Sequence, residues 1–350
     1  MAEMRSCLAL TLALCAAFPS AAAPADFESI ISNIGAGSGT QIDLAVITRE
    51  GLCYLHAIEA GEVEVRPRFH AASISKLFTT TVIMQLRDER RLSLHDPVSK
   101  YVPEFAGSPI AIEHLLTHTS GLRDRQRARG RTTRAQWDAY VHELSRQRLA
   151  NVPGTQWAYA DAGFNLLGRV IENIAGSDYA TVMRERLLVP LGMSISDFDL
   201  SKIPEAQRIR ATDKRGRTLE HPWDLAFLAS SGLQTDAREL AAFGREILAI
   251  EAGREARGVL RVETLREMTT ARVDTEWPGI SQGYGWQLQS SGSGVGWRHA
   301  GGEAGFESLR MLYPAEGFGV IVMGNRKDWP RFELASAIAK EVRSGRLCPR

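Results

Sequence analysis

Apolar and polar positions change period several times along this chain, and each change marks an element. Residues 42–47 form a short apolar run rich in branched side chains and predict a strand; residues 52–58 predict a second. Glu50-Gly51 between them supplies a hairpin turn. From residue 73 to about residue 87, Leu77, Phe78, Val82, Ile83 and Leu86 fall on helical spacing, which puts Ser73 at a helix N-terminus. Residues 90–220 read as mostly helical with loops: 110–118 stops before Gly121, 134–149 before Pro153-Gly154, and 162–174 before Gly176. From 284 to 323 the pattern turns to short strands with glycine-rich turns, and 331–343 predicts a final helix. Strands at both ends with helices inserted between them predict an α+β fold. Its sheet part would come from about 24–75 and 225–350 and its helical part from about 76–224.

The first 23 residues follow another rule. Arg5 precedes an apolar run over 7–18, and Ser20-Ala21-Ala22-Ala23-Pro24 supplies the small residues of a cleavage site. That layout predicts a signal peptide over 1–23, an exported chain over 24–350, and a periplasmic or secreted destination. The run is too short to span a bilayer and no later segment does better, so stable membrane insertion is not expected. Leu12-Ala13-Leu14-Cys15 is a poor lipidation box because Leu14 is too large, so a lipoprotein is not expected.

Composition is 44% hydrophobic and 24% charged over 350 residues, an ordinary globular balance with material for a substantial core. A net charge of +1 gives no global attraction for nucleic acid. The one basic run, residues 123–131, is short and lacks interleaved aromatics. It reads as a solvated loop, the functional alternative being attraction of an anionic substrate or an anionic envelope surface.

Ser73-Ile74-Ser75-Lys76 is the first stretch with chemical meaning. On a helix, Lys76 lies one turn from Ser73 on the same face. A serine hydroxyl is a weak nucleophile until a base takes its proton, and a helix N-terminus favours the charge that then develops. Tyr159-Ala160-Asp161 follows a Pro-Gly turn, and His299-Ala300-Gly301 follows a predicted strand. Lys76 serves as base if its surroundings strip its proton; Tyr159 serves if a charged Lys76 lowers the pKa of the phenol. The residues alone leave both open. Taken singly, Ser73 reads as a helix cap, Tyr159 as a half-buried aromatic and His299 as a satisfied strand histidine. The ordered set of three points to acyl transfer. His114 and His118 stand at i and i+4 without a third ligand, so no metal or other cofactor is expected, and His118 reads as loop support through hydrogen bonds. No GxSxG elbow is present.

Longer stretches carry a resemblance. Phe69-His70-Ala71-Ala72-Ser73-Ile74-Ser75-Lys76 resembles the nucleophile region of class C-type β-lactamases and their esterase relatives. Leu115-Leu116-Thr117-His118-Thr119-Ser120-Gly121-Leu122 and Trp157-Ala158-Tyr159-Ala160-Asp161-Ala162-Gly163-Phe164 are similar to further segments of that family. So are Val189-Pro190-Leu191-Gly192-Met193 and Gly283-Tyr284-Gly285-Trp286, all in the family's order. The chain is identified as a member of the serine β-lactamase/penicillin-binding-protein superfamily, in an esterase- or D-aminopeptidase-type branch. The resemblance implies an antiparallel sheet flanked by helices, an inserted all-helical subdomain, and a site between them. It implies Ser73 as acyl-enzyme nucleophile, Lys76 and Tyr159 as the proton-transfer pair, and His299 at the head of the third motif. It also implies backbone N–H groups of Ser73 and Gly302 as an oxyanion hole, with Asp161, Ala300 and Gly301 against the substrate.

Two departures bear on substrate. β-Lactamases and cell-wall peptidases of this family usually begin the third motif with lysine, where this chain has His299, largely neutral at pH 7. The asparagine frequent two residues after the tyrosine is Asp161, which when ionised only accepts hydrogen bonds. Asp161 either holds Lys76 charged or meets a cationic substrate group. Both changes predict that carboxylate-bearing substrates are disfavoured against neutral esters or free amines. The expected activity is an exported serine hydrolase of small esters or amides. A D-amino-acid peptidase or carboxypeptidase, or a weak β-lactamase, is the alternative; a catalytically silent peptidoglycan- or ligand-binding protein is the alternative of another class. The expected partner is a small ester, amide or peptide, with no oligomeric state assigned. The family's terminal segments pack on one side of the molecule, which brings Cys53 and Cys348 to the same region, yet two unpaired thiols are the expectation.

Overall fold

The computed structural model describes residues 25–34, 40–57, 66–124, 130–220, 224–254, 256–292 and 294–348. The signal peptide predicted over 1–23 lies outside the described residues, as do residues 125–129 of the basic run. Among the described residues the strands are β1 (Ile42–Thr48), β2 (Leu52–His56), β3 (Phe69–His70), β4 (Gln234–Thr235), β5 (Val273–Asp274), β6 (Ile280–Gln282), β7 (Gln287–Ser291), β8 (Gly294–Glu303), β9 (Phe306–Tyr313) and β10 (Phe318–Gly324). Eight form one antiparallel sheet in the order β2-β1-β10-β9-β8-β7-β6-β5, while β3 pairs with β4 apart from it.

The apolar run that predicted β1 reflects burial on both faces. Ile42, Leu44 and Val46 enter a cluster with Phe27, Ile31, Leu334 and Ile338, beneath helices Ala25–Ile34 and Arg331–Arg343. Ala45 and Ile47 enter the larger cluster with Phe78, Phe243 and Ile247, beneath helices Ser75–Asp88 and Ala237–Glu251. Side chains alternate across a strand, so a sheet covered on both sides reads as continuously apolar. Asp43 is the polar exception. It accepts the N–H of Ala237 at 2.7 Å, and burial, then the Asp236 charge, pushes its carboxyl up to about 7.

Several predicted boundaries shift. Ser73 does not open the α-helix; it lies in a 3-10 turn, Ala72–Ile74, and the α-helix begins at Ser75. The helix predicted over 134–149 ends at Ser145 and the one over 110–118 is only Ile112–Leu116. Helix Asp161–Ala175 ends on Gly176, whose φ of 69° suits glycine. The expectation of two free thiols is overturned: Cys53 on edge strand β2 is bonded to Cys348 beyond the last helix, with Cα atoms 5.8 Å apart. Folding brings together residues separated by 295 positions, a proximity no local pattern encodes.

Candidate active site

The turn carrying Ser73 is wedged between the sheet and the helices. Ala72, just before it, has φ of +49°, a left-handed conformation that costs an alanine on the order of 1 kcal/mol. Its neighbours hold it there. Ala71 N–H donates to Leu233 O at 2.8 Å, Ala72 N–H to His70 Nδ1 at 3.1 Å, and Ser308 Oγ–H to Ala71 O at 2.8 Å. Gly301 of β8 completes the packing. A Cβ at that position would meet Ala71 O at 2.5 Å and Ala72 Cβ at 3.1 Å, so only glycine lets the third motif close on the serine turn.

Lys76 lies under Ser73, fully buried. Its Nζ donates to Ser73 Oγ at 3.1 Å, Asp161 Oδ1 at 2.6 Å and Ser230 O at 2.9 Å. Three acceptors match the three N–H groups of an ammonium. Burial is the largest single influence and opposes the charge, but Asp161 and Tyr159 together outweigh it, and the pKa of Lys76 is pushed up to about 12. Of the two readings open for Asp161, the structure shows the carboxylate on Lys76. The nearby Tyr159 phenol is raised from its ordinary value by burial, against the lowering effect of the Lys76 charge. At rest the site therefore holds an ammonium and a neutral phenol.

His299 sits apart from the lining. Its side chain, carried on β8, is fully buried, its ring 6.4 Å from that of Tyr159, and its Nδ1–H donates to Ala300 O at 2.9 Å. Burial first, then the Lys76 charge, depresses its pKa to about 3, so it stays neutral. The possible metal pair is committed elsewhere: His114 Nδ1 accepts from Ala111 N–H and His118 Nδ1 from Ala160 N–H.

A cavity of about 430 Å³ opens over Ser73, Tyr159 and Asp161, with Ala300, Gly301 and Gly302 along one wall. Seven of the eight expected positions thus meet here, counting buried Lys76, while the His299 ring is buried beside Tyr159 without lining the cavity. Pairing of β7 with β8 ends at Gln287–Arg298, whereas β9 follows β8 as far as Glu303. Residues 299–302 thus run along the cleft beyond the end of β7. A Cβ on Gly302 would project into open space.

Sequence reasoning missed the rest of the lining: Trp277, Gln287, Arg298, Arg331 and Phe332. Arg298 immediately precedes His299, so on a strand the two point to opposite faces, imidazole inward and guanidinium toward the cleft. Gln287 Oε1 and Gln289 Oε1, both at 3.2 Å, orient Arg298 without cancelling its charge. Arg331 opens the last helix and pairs with Glu307. The expectation that carboxylates are disfavoured considered only His299 and Asp161. The structure spends the Asp161 charge on Lys76 and sets the Arg298 guanidinium in the cavity wall, beside Arg331, whose charge is paired with Glu307.

Comparison with known proteins agrees with this geometry. Residues 35–343 match the family described as Beta-lactamase. Among curated relatives, the D-alanyl-D-alanine-carboxypeptidase/endopeptidase AmpH of Escherichia coli K12 is 27% identical over 294 residues, covering 78% of this chain and 75% of that protein. The octameric penicillin-binding protein homologue from Pyrococcus abyssi superposes with a TM-score of 0.76 at 25% identity, over 91% of this chain and 77% of the other. A class C β-lactamase superposes with a TM-score of 0.76 at 19% identity, over 91% and 96% of the two chains, and supports the fold. With that family match, the chain belongs to the Beta-lactamase family, within the serine β-lactamase and penicillin-binding-protein superfamily of serine hydrolases.

Proposed function

We propose that this protein is an exported hydrolase of short esters, amides or peptides that works through an acyl-enzyme on Ser73. The observation that carries the reading is Lys76 Nζ bridging Ser73 Oγ and Asp161 Oδ1 at the floor of the cavity. As an ammonium, Lys76 donates to Ser73 and cannot accept its proton. Proton transfer inside the buried pair, from Lys76 to Asp161, leaves a neutral amine beside the serine and a neutral carboxylic acid. Ser73 then gives its proton to Lys76 as Oγ attacks the acyl carbon. The Tyr159 hydroxyl gives its proton to the leaving group, Lys76 returns one to Tyr159, and Asp161 returns one to Lys76. The net transfer is from serine to leaving group, and the resting state is restored. Backbone N–H groups of Ser73 and Gly302 are the proposed oxyanion donors. Water repeats the sequence on the acyl-enzyme.

Arg298, held by the neutral amide oxygens of Gln287 and Gln289, favours substrates with an anionic group beyond the scissile bond, and Trp277 and Phe332 favour an apolar group beside it. The similarity to a D-alanyl-D-alanine-carboxypeptidase/endopeptidase supports peptide substrates of that polarity. The signal-peptide pattern and the Cys53–Cys348 bond support export, because disulfides persist in oxidising compartments. A fluorophosphonate probe should label Ser73. Ser73→Ala should abolish labelling and cost at least ~10³-fold in turnover. A folded Ser73→Ala protein with wild-type hydrolysis would end this reading.

A further inference from the structure

The second motif is held in place by one loop that the chemistry above does not use. Ala158 N–H donates to His118 O at 2.8 Å and Ala160 N–H to His118 Nδ1 at 3.2 Å. Asp161 N–H donates to Asp124 Oδ2 at 3.0 Å and Ala162 N–H to Asp124 Oδ1 at 2.8 Å. Helix Asp161–Ala175 starts from Ala160, which has no side chain able to accept its first amides. Asp124 does that work from 37 residues away. The same turn presents Tyr159, whose ring stacks on that of His118 at 4.4 Å. His118 is itself held at φ of +56°, a conformation histidine rarely adopts. The loop therefore grips the turn on both sides of Tyr159 and at Asp161.

We infer that His118 and Asp124 are positioning residues for the acyl-transfer site: they fix the Tyr159–Asp161 turn so that the Asp161 carboxylate stays on Lys76. The inference rests on the acyl-enzyme reading given above. The groups that bear on Lys76 are Asp161 and Tyr159 from the turn, His118 and Asp124 from the loop, and His299 from β8. Of these, His118 and His299 are held neutral by burial and the Lys76 charge. Asp124 and Asp161 gather two carboxylates at one helix start; burial first, then the Asp161 charge, raises the Asp124 carboxyl against its two backbone N–H bonds and the Lys76 charge. Without Asp124 the first turn of the helix loses its cap, and Asp161 loses the backbone anchor that keeps its side chain on the amine.

The test compares wild type, Asp124→Ala and Asp124→Asn in thermal unfolding and in kcat and KM on p-nitrophenyl acetate from about pH 6 to about pH 10. In Asp124→Ala, kcat should fall about 10- to 100-fold with KM within about threefold, and activity should gain a new dependence on pH below about pH 9. Asp124→Asn, which keeps one acceptor oxygen, should recover part of the loss. A lower melting temperature with unchanged kcat and pH profile would mean that Asp124 only stabilises the loop, and would overturn the inference. In an Asp161→Asn background, Asp124→Ala should change kcat less than about twofold, because its effect passes through Asp161. A full additive loss there would also overturn it. Should Asp124→Ala fail to fold, the cycle between Asp124→Asn and Asp161→Asn makes the same measurement. Fluorophosphonate labelling of wild type separates the two readings. Labelling at Ser73 with insensitive Asp124 variants removes only the positioning role; no labelling removes both.

Discussion

The sharpest consequence of the site concerns Asp161→Asn, which keeps the shape of the side chain and removes its charge. Lys76 Nζ and Asp161 Oδ1 are 2.6 Å apart and both side chains are buried. At an effective dielectric of about 20 that separation corresponds to about 6 kcal/mol of attraction. Breaking buried pairs typically costs about 3–5 kcal/mol, and each pKa unit corresponds to about 1.36 kcal/mol, so Lys76 should lose roughly 2–4 units. Starting from about 12, its pKa should fall to roughly 8–10. On the proposed mechanism, transfer inside the wild-type Lys76–Asp161 pair supplies the amine without exchanging a proton with solvent. The profile of kcat/KM should therefore be nearly flat from about pH 6 to about pH 10. In the variant the amine must lose its proton to water. Activity should rise about tenfold per pH unit up to a limb at roughly 8–10, then level off. The assay is kcat/KM for p-nitrophenyl acetate at constant ionic strength, with melting temperature checked at each pH. A flat profile in Asp161→Asn, or an identical limb in wild type, would show that Asp161 does not govern the protonation of Lys76.

The remaining predictions use other parts of the molecule. Gly301→Ala should cost about 1–3 kcal/mol of stability and roughly 100-fold in kcat/KM, because a Cβ there collides with Ala71 O; wild-type kinetics would refute the close packing. Arg298→Gln should lower kcat/KM for an anionic acyl substrate by about 10- to 100-fold and leave a matched neutral ester within about threefold; equal losses on both would assign Arg298 to structure instead. Asp43 keeps its proton in the folded protein up to about pH 7, whereas an unfolded aspartate releases it near ~3.9. The unfolded chain thus binds fewer protons between those limits, so the contribution of Asp43 is present below about pH 4 and lost as pH rises through about 7. Asp43→Asn should therefore raise the melting temperature at about pH 8, by a free energy on the order of 4 kcal/mol, and bring little gain at about pH 4; equal gains at both would contradict it. Alkylation without reductant should add no label at Cys53 or Cys348, and Cys348→Ser should lower stability by at most about 5 kcal/mol; two labels on the wild type would rule the bond out.

Sequence by itself determined whatever depends on neighbours along the chain. Helical periodicity after Ser73 put Lys76 one turn away, and the two are hydrogen-bonded at 3.1 Å. The final helix was legible because Leu334, Ala335, Ile338 and Ala339 keep helical spacing, and it spans Arg331–Arg343 as predicted. β1 was legible because burial on both faces leaves an unbroken apolar run. The short strands and the three motifs followed from turn residues and order. The protonation of Lys76 was not legible, because its acceptors Asp161 and Ser230 lie 85 and 154 positions away. The charge of the cavity was not legible, because Arg298 shares a strand with His299 yet faces the other way, and the Asp161 charge is paired with Lys76. Asp124 looked like part of a solvated basic run and turned out to cap a helix that begins 37 residues later. The Cys53–Cys348 bond depended on the segment after the last helix meeting β2. Spacing of a few residues is set by backbone geometry, which the sequence carries locally. Contact between charges and thiols far apart in the chain is set by how sheet and helices bury their apolar faces, and only the folded structure decides it.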